Sequence, residues 1–231
     1  MREANPKRRT TTKKDGRWLA RYGPWAVVTG ASDGIGRAFA WRLAEAGVDL
    51  VLVARRRNVL DDLAREIAQR YGMSLRVIDV DLAQDGGVEE VLARTRDLDV
   101  GLLVAAAGFG TSGPLLDASL EREKEMLDVN CRAILSLSHG FSRRLAERGR
   151  GGIVLMSSLV AFQGVPRAAH YAATKAYVQT LAEGLRLELA PRGVDVIASA
   201  PGPVRSGFEK RAGMQMSFAA GPDVVGEERH R

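Results

Sequence analysis

A chain of 231 residues, 45% hydrophobic and 27% charged, has the composition of a folded globular protein and the length of one α/β domain around one core. Its single cysteine, Cys131, excludes an intrachain disulfide and a multi-cysteine metal site and fits a reducing, cytoplasmic setting; no run approaches the ~18 apolar residues of a membrane span. The net charge of +6 does not describe a nucleic-acid-binding face, because residues 1–24 hold eight Lys or Arg and two acidic residues while the rest of the chain has 26 of each sign.

Residues 1–24 therefore read as a basic, disordered tail without the apolar stretch of a secretory signal, and residues 25–231 as the domain. From Trp25 onward, apolar runs of strand length alternate with segments of helical period. Strands are expected at 25–30, 48–54, 74–80, 100–106, 151–158 and 194–200. After the first strand, Ile35, Ala38, Phe39, Leu43 and Ala46 recur at helical spacing up to Gly47, a favoured residue just past a helix end. Further helices are expected near 58–71, 86–97, 118–148 and 169–190. Near-continuous Val, Ile, Leu and Ala in the strands fits burial on both faces, so the pattern predicts a doubly wound parallel sheet of Rossmann type in a single domain.

Between the first strand and first helix lies TGASDGIG, Thr29–Gly36. Gly30 permits a sharp turn, Gly34 lets backbone approach a pyrophosphate, and Gly36 lets the helix pack closely on the sheet. The turn residues Gly30, Ser32, Asp33, Gly34, Ile35 and Gly36 are thus expected to face the phosphates of a dinucleotide at the positive helix end. The second strand ends LVARRR. A carboxylate there would repel a 2′-phosphate, whereas Arg55 and Arg56 offer planar cations to one, so NADP(H) is favoured over NAD(H). Asp81 and Leu82, at the end of the third strand, fall where an adenine edge would lie.

Tyr171 and Lys175 form YAATK, one helical turn apart and on one face. Alone such a pair carries little information. Together with TGASDGIG, Asn130, Ser158 thirteen residues before Tyr171, and PGPV at 201–204, it resembles the compact branch of the short-chain dehydrogenase/reductase family over about residues 25–208. That resemblance implies Tyr171 as acid/base, Lys175 as its electrostatic partner and ribose ligand, Ser158 as ligand of the substrate oxygen, and Asn130 in a proton relay. It also implies a cofactor bordered by Ala107, Gly108, Pro201, Gly202, Val204 and Ser206, and a homo-oligomeric enzyme acting on a small-molecule carbonyl or alcohol, with no nucleic-acid partner.

The chemistry gives reasons for these residue types. A free tyrosine titrates near 10 and must shift to exchange protons near neutrality, and the Lys175 ammonium would favour its phenolate. Ser158 would hold the oxygen on which negative charge develops, whereas Ser157 should point to the other side of the strand. The sequence departs from the resemblance in three places. AAAG (105–108) stands where the family commonly has Asn-Asn-Ala-Gly, so two braces of the sheet are expected to be missing; Ser206 replaces a frequent Thr; and the family's last strand is expected to be absent. His139, His170 and Cys131 read as structural residues. Phe109, 159–166 and 207–218, with Phe162, Val165, Phe208, Met214, Met216 and Phe218, suggest a pocket for a hydrophobic ketone. The alternative is a nucleotide-binding scaffold or sensor without turnover; sugar-nucleotide epimerisation fits the glycine spacing poorly.

Overall fold

In the computed structural model, residues 13–203 are described. Val204, Ser206, the segment 207–218 and any last strand lie outside them. Six strands form: β1 Trp25–Thr29, β2 Asp49–Ala54, β3 Leu75–Asp79, β4 Val100–Ala105, β5 Gly151–Met156 and β6 Val194–Ser199. Seven α-helices accompany them: α1 Lys13–Tyr22, α2 Gly34–Glu45, α3 Arg57–Tyr71, α4 Gly87–Ala93, α5 Leu120–Leu127, α6 Ala133–Arg148 and α7 Ala169–Leu189. All strand pairs are parallel, in the order β3-β2-β1-β4-β5-β6. The order reverses between β1 and β4, which opens a crevice at the carboxyl ends of those strands.

Successive side chains of a strand face opposite sides, and here both sides are apolar. Val27, Val51, Leu103 and Ile153 join Leu137 and Phe141 of α6 and Val178 of α7 in one buried layer. Ala26, Val28, Leu50 and Leu52 join Leu43 of α2 and Leu60, Leu63 and Ile67 of α3 in the other. Helices therefore cover both faces of the central strands.

Two expectations need correction. The tail is helical from Lys13 to Tyr22, and Trp18, Leu19 and Tyr22 pack against the α2/α3 layer. A composition averaged over a basic segment hides these residues, two of which stand one helical turn apart. The side chain of Arg21 reaches Asp195 with Nε–Oδ2 at 2.6 Å, and the Tyr22 hydroxyl donates to the same oxygen at 2.6 Å. The single helix expected over 118–148 is also interrupted. Between α5 and α6 the backbone widens into a π-helical turn, Asp128–Arg132, a geometry that hydrophobic period does not reveal.

Candidate active site

The β1–α2 turn is built on close approach. Gly30 has φ +68°, and a Cβ there would lie 2.8 Å from the Ala106 carbonyl oxygen, against the chain leaving β4. A Cβ on Gly36 would lie 2.5 Å from the Gly30 carbonyl oxygen, so only glycine lets α2 start this near the sheet. Asp33 caps α2, its carboxylate accepting from the Gly34 N–H at 2.7 Å. The helix thus directs its N-terminal amides into the crevice, where phosphate oxygens are stabilised. One brace expected to be missing around AAAG is supplied from the other strand: the buried Thr29 hydroxyl accepts from the Ala107 N–H at 3.0 Å.

Beside the turn, Arg56 Nη2 donates to both the carbonyl and the hydroxyl of Ser32 at 3.1 Å. Arg55 Nη1 instead lies 3.4 Å from Asp81 and 3.4 Å from Glu125 of α5. Asp81 has a second task, accepting from the Ala83 N–H at 3.0 Å. Glu125 also pairs with Arg122, whose guanidinium sits 4.0 Å from the Phe109 ring centre. Sequence reading missed Arg122 and Glu125, because nothing local marks a surface ion pair as the rim of a cleft.

On the other side of β4, Tyr171 and Ser158 line the same cleft, near enough that Ser158 lowers the phenol's pKa, and the Ser158 hydroxyl donates to the Pro201 carbonyl at 3.5 Å. Ser158 ends the β5 run and opens a 3-10 turn, Leu159–Phe162. Its neighbour Ser157 is buried and donates to the Lys175 carbonyl at 3.1 Å, a structural bond, as alternation along the strand requires. Lys175 is 4% exposed, donates from Nζ to the Met156 carbonyl at 2.8 Å, and stands 5.8 Å from the Tyr171 ring centre. A Cβ on Gly108 would come within 3.5 Å of that ammonium and 2.9 Å of Asn130 Oδ1, so a side chain there would fill the space beside both.

Asn130 is fully buried in the π-helical turn. Its Nδ2 donates to the Phe109 carbonyl at 2.8 Å and to Thr174 Oγ1 at 3.1 Å, and its Oδ1 accepts from the Phe109 N–H at 3.1 Å. Thr174 in turn donates to the Tyr171 carbonyl at 2.8 Å. One amide therefore ties the segment after β4 to the helix carrying Tyr171. Thr174 lies inside the YAATK motif but was passed over, because a helical threonine is most simply read as filler.

Burial sets the charges here. It pushes the Tyr171 phenol up to about 12, against the lowering effect of the Ser158 hydrogen bond. It also pulls the Lys175 ammonium down to about 8. At Tyr171 desolvation is the larger effect and the Ser158 hydrogen bond the smaller, and the Lys175 ammonium spends a hydrogen bond on Met156.

A single cleft of about 680 Å³ collects these groups. Every expected catalytic or cofactor-binding residue within 13–203 lines it except Asn130, which braces its wall from behind. Phe109, Leu159, Val160, Val165 and Ala168 make part of the lining apolar. Phe162 does not contribute, being 64% exposed at the end of the 3-10 turn, a correction to the expected pocket. Among the described residues no helix is long and apolar enough to cross a membrane. Glycine-dependent approach at 30, 36 and 108, amides at the start of α2 and two guanidinium groups at the crevice rim fit a dinucleotide phosphate chain.

A parallel sheet with its crevice at the strand-order reversal, and a Tyr–Ser–Lys group within that crevice, defines the class: a nicotinamide-dependent oxidoreductase of carbonyl and alcohol groups. The family model described as short chain dehydrogenase matches residues 24–216, and the chain belongs to that family. It is 36% identical over 182 residues to a 7beta-hydroxysteroid dehydrogenase of Clostridium sardiniense, covering 79% of this chain and 70% of the relative. To a very-long-chain 3-oxoacyl-CoA reductase of Podospora anserina it is 38% identical over 185 residues, 78% of this chain but only 54% of the relative, so it spans about half of that protein. Among solved structures, a short-chain dehydrogenase from Sphingobium yanoikuyae in complex with NADPH superposes with a TM-score of 0.85 at 33% identity, over 88% of this chain and 81% of that one.

Proposed function

We propose that the chain is an NADP(H)-dependent reductase of a bulky hydrophobic ketone, running in reverse as a secondary-alcohol dehydrogenase, with Tyr171 as acid/base. The observation that carries this reading is the meeting of Tyr171, Ser158 and Lys175 in one partly apolar cleft, with the Lys175 ammonium 5.8 Å from the tyrosine ring centre. The names of two relatives, one for a steroid and one for a very-long-chain oxoacyl thioester, support a large apolar substrate rather than a small polar one.

In the reductive direction the carbonyl oxygen takes a hydrogen bond from Ser158, which stabilises the charge that develops on it. Tyr171, protonated throughout the physiological range because burial raises its phenol to about 12, delivers its proton to that oxygen. The nicotinamide, when bound, supplies the hydride that no side chain can. Lys175 lies near 8, so it gains its charge as pH falls through that value and then favours the phenolate left behind. Asn130 keeps the wall in register through Phe109 and Thr174, and its part in the proposed proton relay is to position the helix that carries Tyr171 and Lys175, transferring no proton itself. Val204 and Ser206 complete the nicotinamide border in the same proposal, and a homo-oligomer is its expected assembly.

The test is NADPH oxidation against a panel of steroid ketones, long-chain 3-oxoacyl thioesters and small aldehydes, with Tyr171→Phe in parallel. Turnover of the bulky ketones falling by roughly 10²–10⁴-fold in the variant supports the reading. Equal finite rates in both proteins would overturn Tyr171 as acid/base, and no turnover by either with NADPH bound would instead favour a scaffold or sensor.

A further inference from the structure

Glu123 is the only acidic residue of the buried interior among those described, at 6% exposure, and no step above uses it. A carboxylate leaves water at a cost and needs a partner. Its partner is His170, with Oε2 2.6 Å from Nδ1. Glu123 belongs to α5, and His170 immediately precedes Tyr171 in the first turn of α7.

Apart from the packing of Ala168 and Tyr171 on Phe109 and Met126, that first turn has few polar ties. The residue before it is Ala168, which offers no side-chain cap. The helical ladder begins with the Ala172 N–H on the Ala168 carbonyl at 2.9 Å, so Tyr171 lies in the turn whose own N–H groups precede the ladder. The chain enters through Arg167, a non-glycine residue at φ +66°, whose carbonyl accepts from the Gly113 N–H at 2.8 Å. Strained backbone of this kind persists only where its surroundings fix it. Both ties run from the start of α7 to the single segment 113–123.

We propose that Glu123 and His170 are positioning residues. Their bond holds the first turn of α7 against α5, and thereby holds the Tyr171 phenol opposite Ser158. The inference rests on the reading of Tyr171 as acid/base. Both partners border a small recess of about 120 Å³ lined also by Thr111, Asp117 and Arg167, so a shorter side chain fits there without clash.

His170→Phe keeps an aromatic ring and removes the nitrogen. His170→Asn places an amide at the position of Nδ1 and restores the bond. With NADPH and a steroid ketone, the phenylalanine variant is expected to lose roughly 10–100-fold in kcat. Its KM and its NADPH dissociation constant stay within about twofold, the pattern left by losing an interaction specific to the transition state. The asparagine variant is expected to recover most of that loss. In parallel, the ¹³Cζ resonance of Tyr171, assigned by its disappearance in Tyr171→Phe, should move in His170→Phe and return in His170→Asn. If Phe at 170 prevents folding, Glu123→Leu and Glu123→Gln take the same two roles. An unmoved resonance with unchanged kcat overturns the clasp, as does a failure of Asn to rescue. No turnover by the wild-type protein would sink the proposed function alone, because the resonance still reports the clasp.

Discussion

At the amino ends of the strands, α1 lies across the sheet and closes it. The Tyr22 carbonyl faces Gly101 so tightly that a Cβ there would lie 2.5 Å away, and the Tyr22 ring covers Gly152. Asp195 receives both Arg21 and the Tyr22 hydroxyl, and Arg148 holds Asp99 together with the carbonyls of Arg21 and Gly23. At the carboxyl ends, glycines keep a cleft open, and burial drives a phenol up to about 12 and an ammonium down to about 8. One end satisfies its charges and contributes stability. The other holds a buried ammonium in a state that costs stability at neutral pH, and such sites are where chemistry is done.

The sharpest way to separate the two ends is Lys175→Met, whose effects should be large and opposite in sign. Turnover is expected to fall by at least about 10²-fold, as for loss of an acid–base partner. Stability at pH 7 should rise. The lysine titrates near 8 in the fold and at 10.5 as a free group, so at neutral pH its charge costs about 3 kcal/mol at most. Wild-type stability climbs between those two values, where the unfolded chain still holds the extra proton, and is flat on either side. Methionine removes that cost and forfeits a hydrogen bond to Met156 of about 1 kcal/mol. Thermal melts at pH 7 should therefore show a higher Tm for the variant, and by pH 10.5 the advantage should be gone. A lower Tm at pH 7 would mean that the open end contributes stability after all.

Tyr22→Ala probes the closed end. It removes a half-buried ring packed on the α2/α3 layer and one hydrogen bond to Asp195, so a loss of roughly 2–4 kcal/mol is expected. The kcat for a ketone, measured well below the lowered Tm, should be unchanged. A fall in kcat would show that closing the amino ends of the strands shapes the cleft at the other end.

The two ends also differed in how far sequence could describe them. All six strands were legible from apolar runs, with boundaries shifted by one or two residues, because a sheet buried on both faces writes its pattern without interruption. The glycine turn was legible from its place between strand and helix, but Ser158 and the Tyr171–Lys175 pair could be singled out only in combination, through the family pattern that their types and spacing resemble, and the fold brings them to one cleft. The docking of α1 was not, since Trp18, Leu19 and Tyr22 are few among many cations and their targets, Gly101, Gly152 and Asp195, lie far along the chain. The π-helical turn that buries Asn130 was hidden for a related reason: one extra residue per turn leaves the apolar spacing almost unchanged. The Glu123–His170 bond escaped because each partner alone looks ordinary, and only the fold brings together residues 47 positions apart.

A smaller effect is expected at the rim of the cleft. Arg56 is bonded to Ser32 in the phosphate turn, while Arg55 is shared between Asp81 and Glu125. If both hold a 2′-phosphate, Arg55→Asp and Arg56→Asp should each weaken NADPH relative to NADH by roughly tenfold, about 1.4 kcal/mol. Fluorescence titration with both cofactors measures the ratio. An unchanged ratio in both variants would remove the basis for preferring the phosphorylated cofactor.

Asp195→Asn should have the smallest effect, and its pH dependence makes it informative. Arg21 holds the Asp195 carboxyl below the usual carboxylate range, with burial opposing and the Tyr22 hydroxyl assisting. The stabilisation is therefore complete above the ordinary carboxylate value and disappears as pH falls through the lower value in the fold. Because the Arg21 and Asp195 side chains are 43% and 42% exposed, solvent screening limits the benefit to about 1 kcal/mol or less at pH 7. Urea titrations should show the variant weaker by that amount at neutral pH and in low salt, with the difference shrinking in high salt and vanishing in acid. Throughout, kcat should match the wild type. A change in kcat with so small a change in stability could not be attributed to unfolding, and would mean that charge at the closed end reaches the cleft through β6, whose last residue, Ser199, accepts from the Ser157 N–H at 2.7 Å.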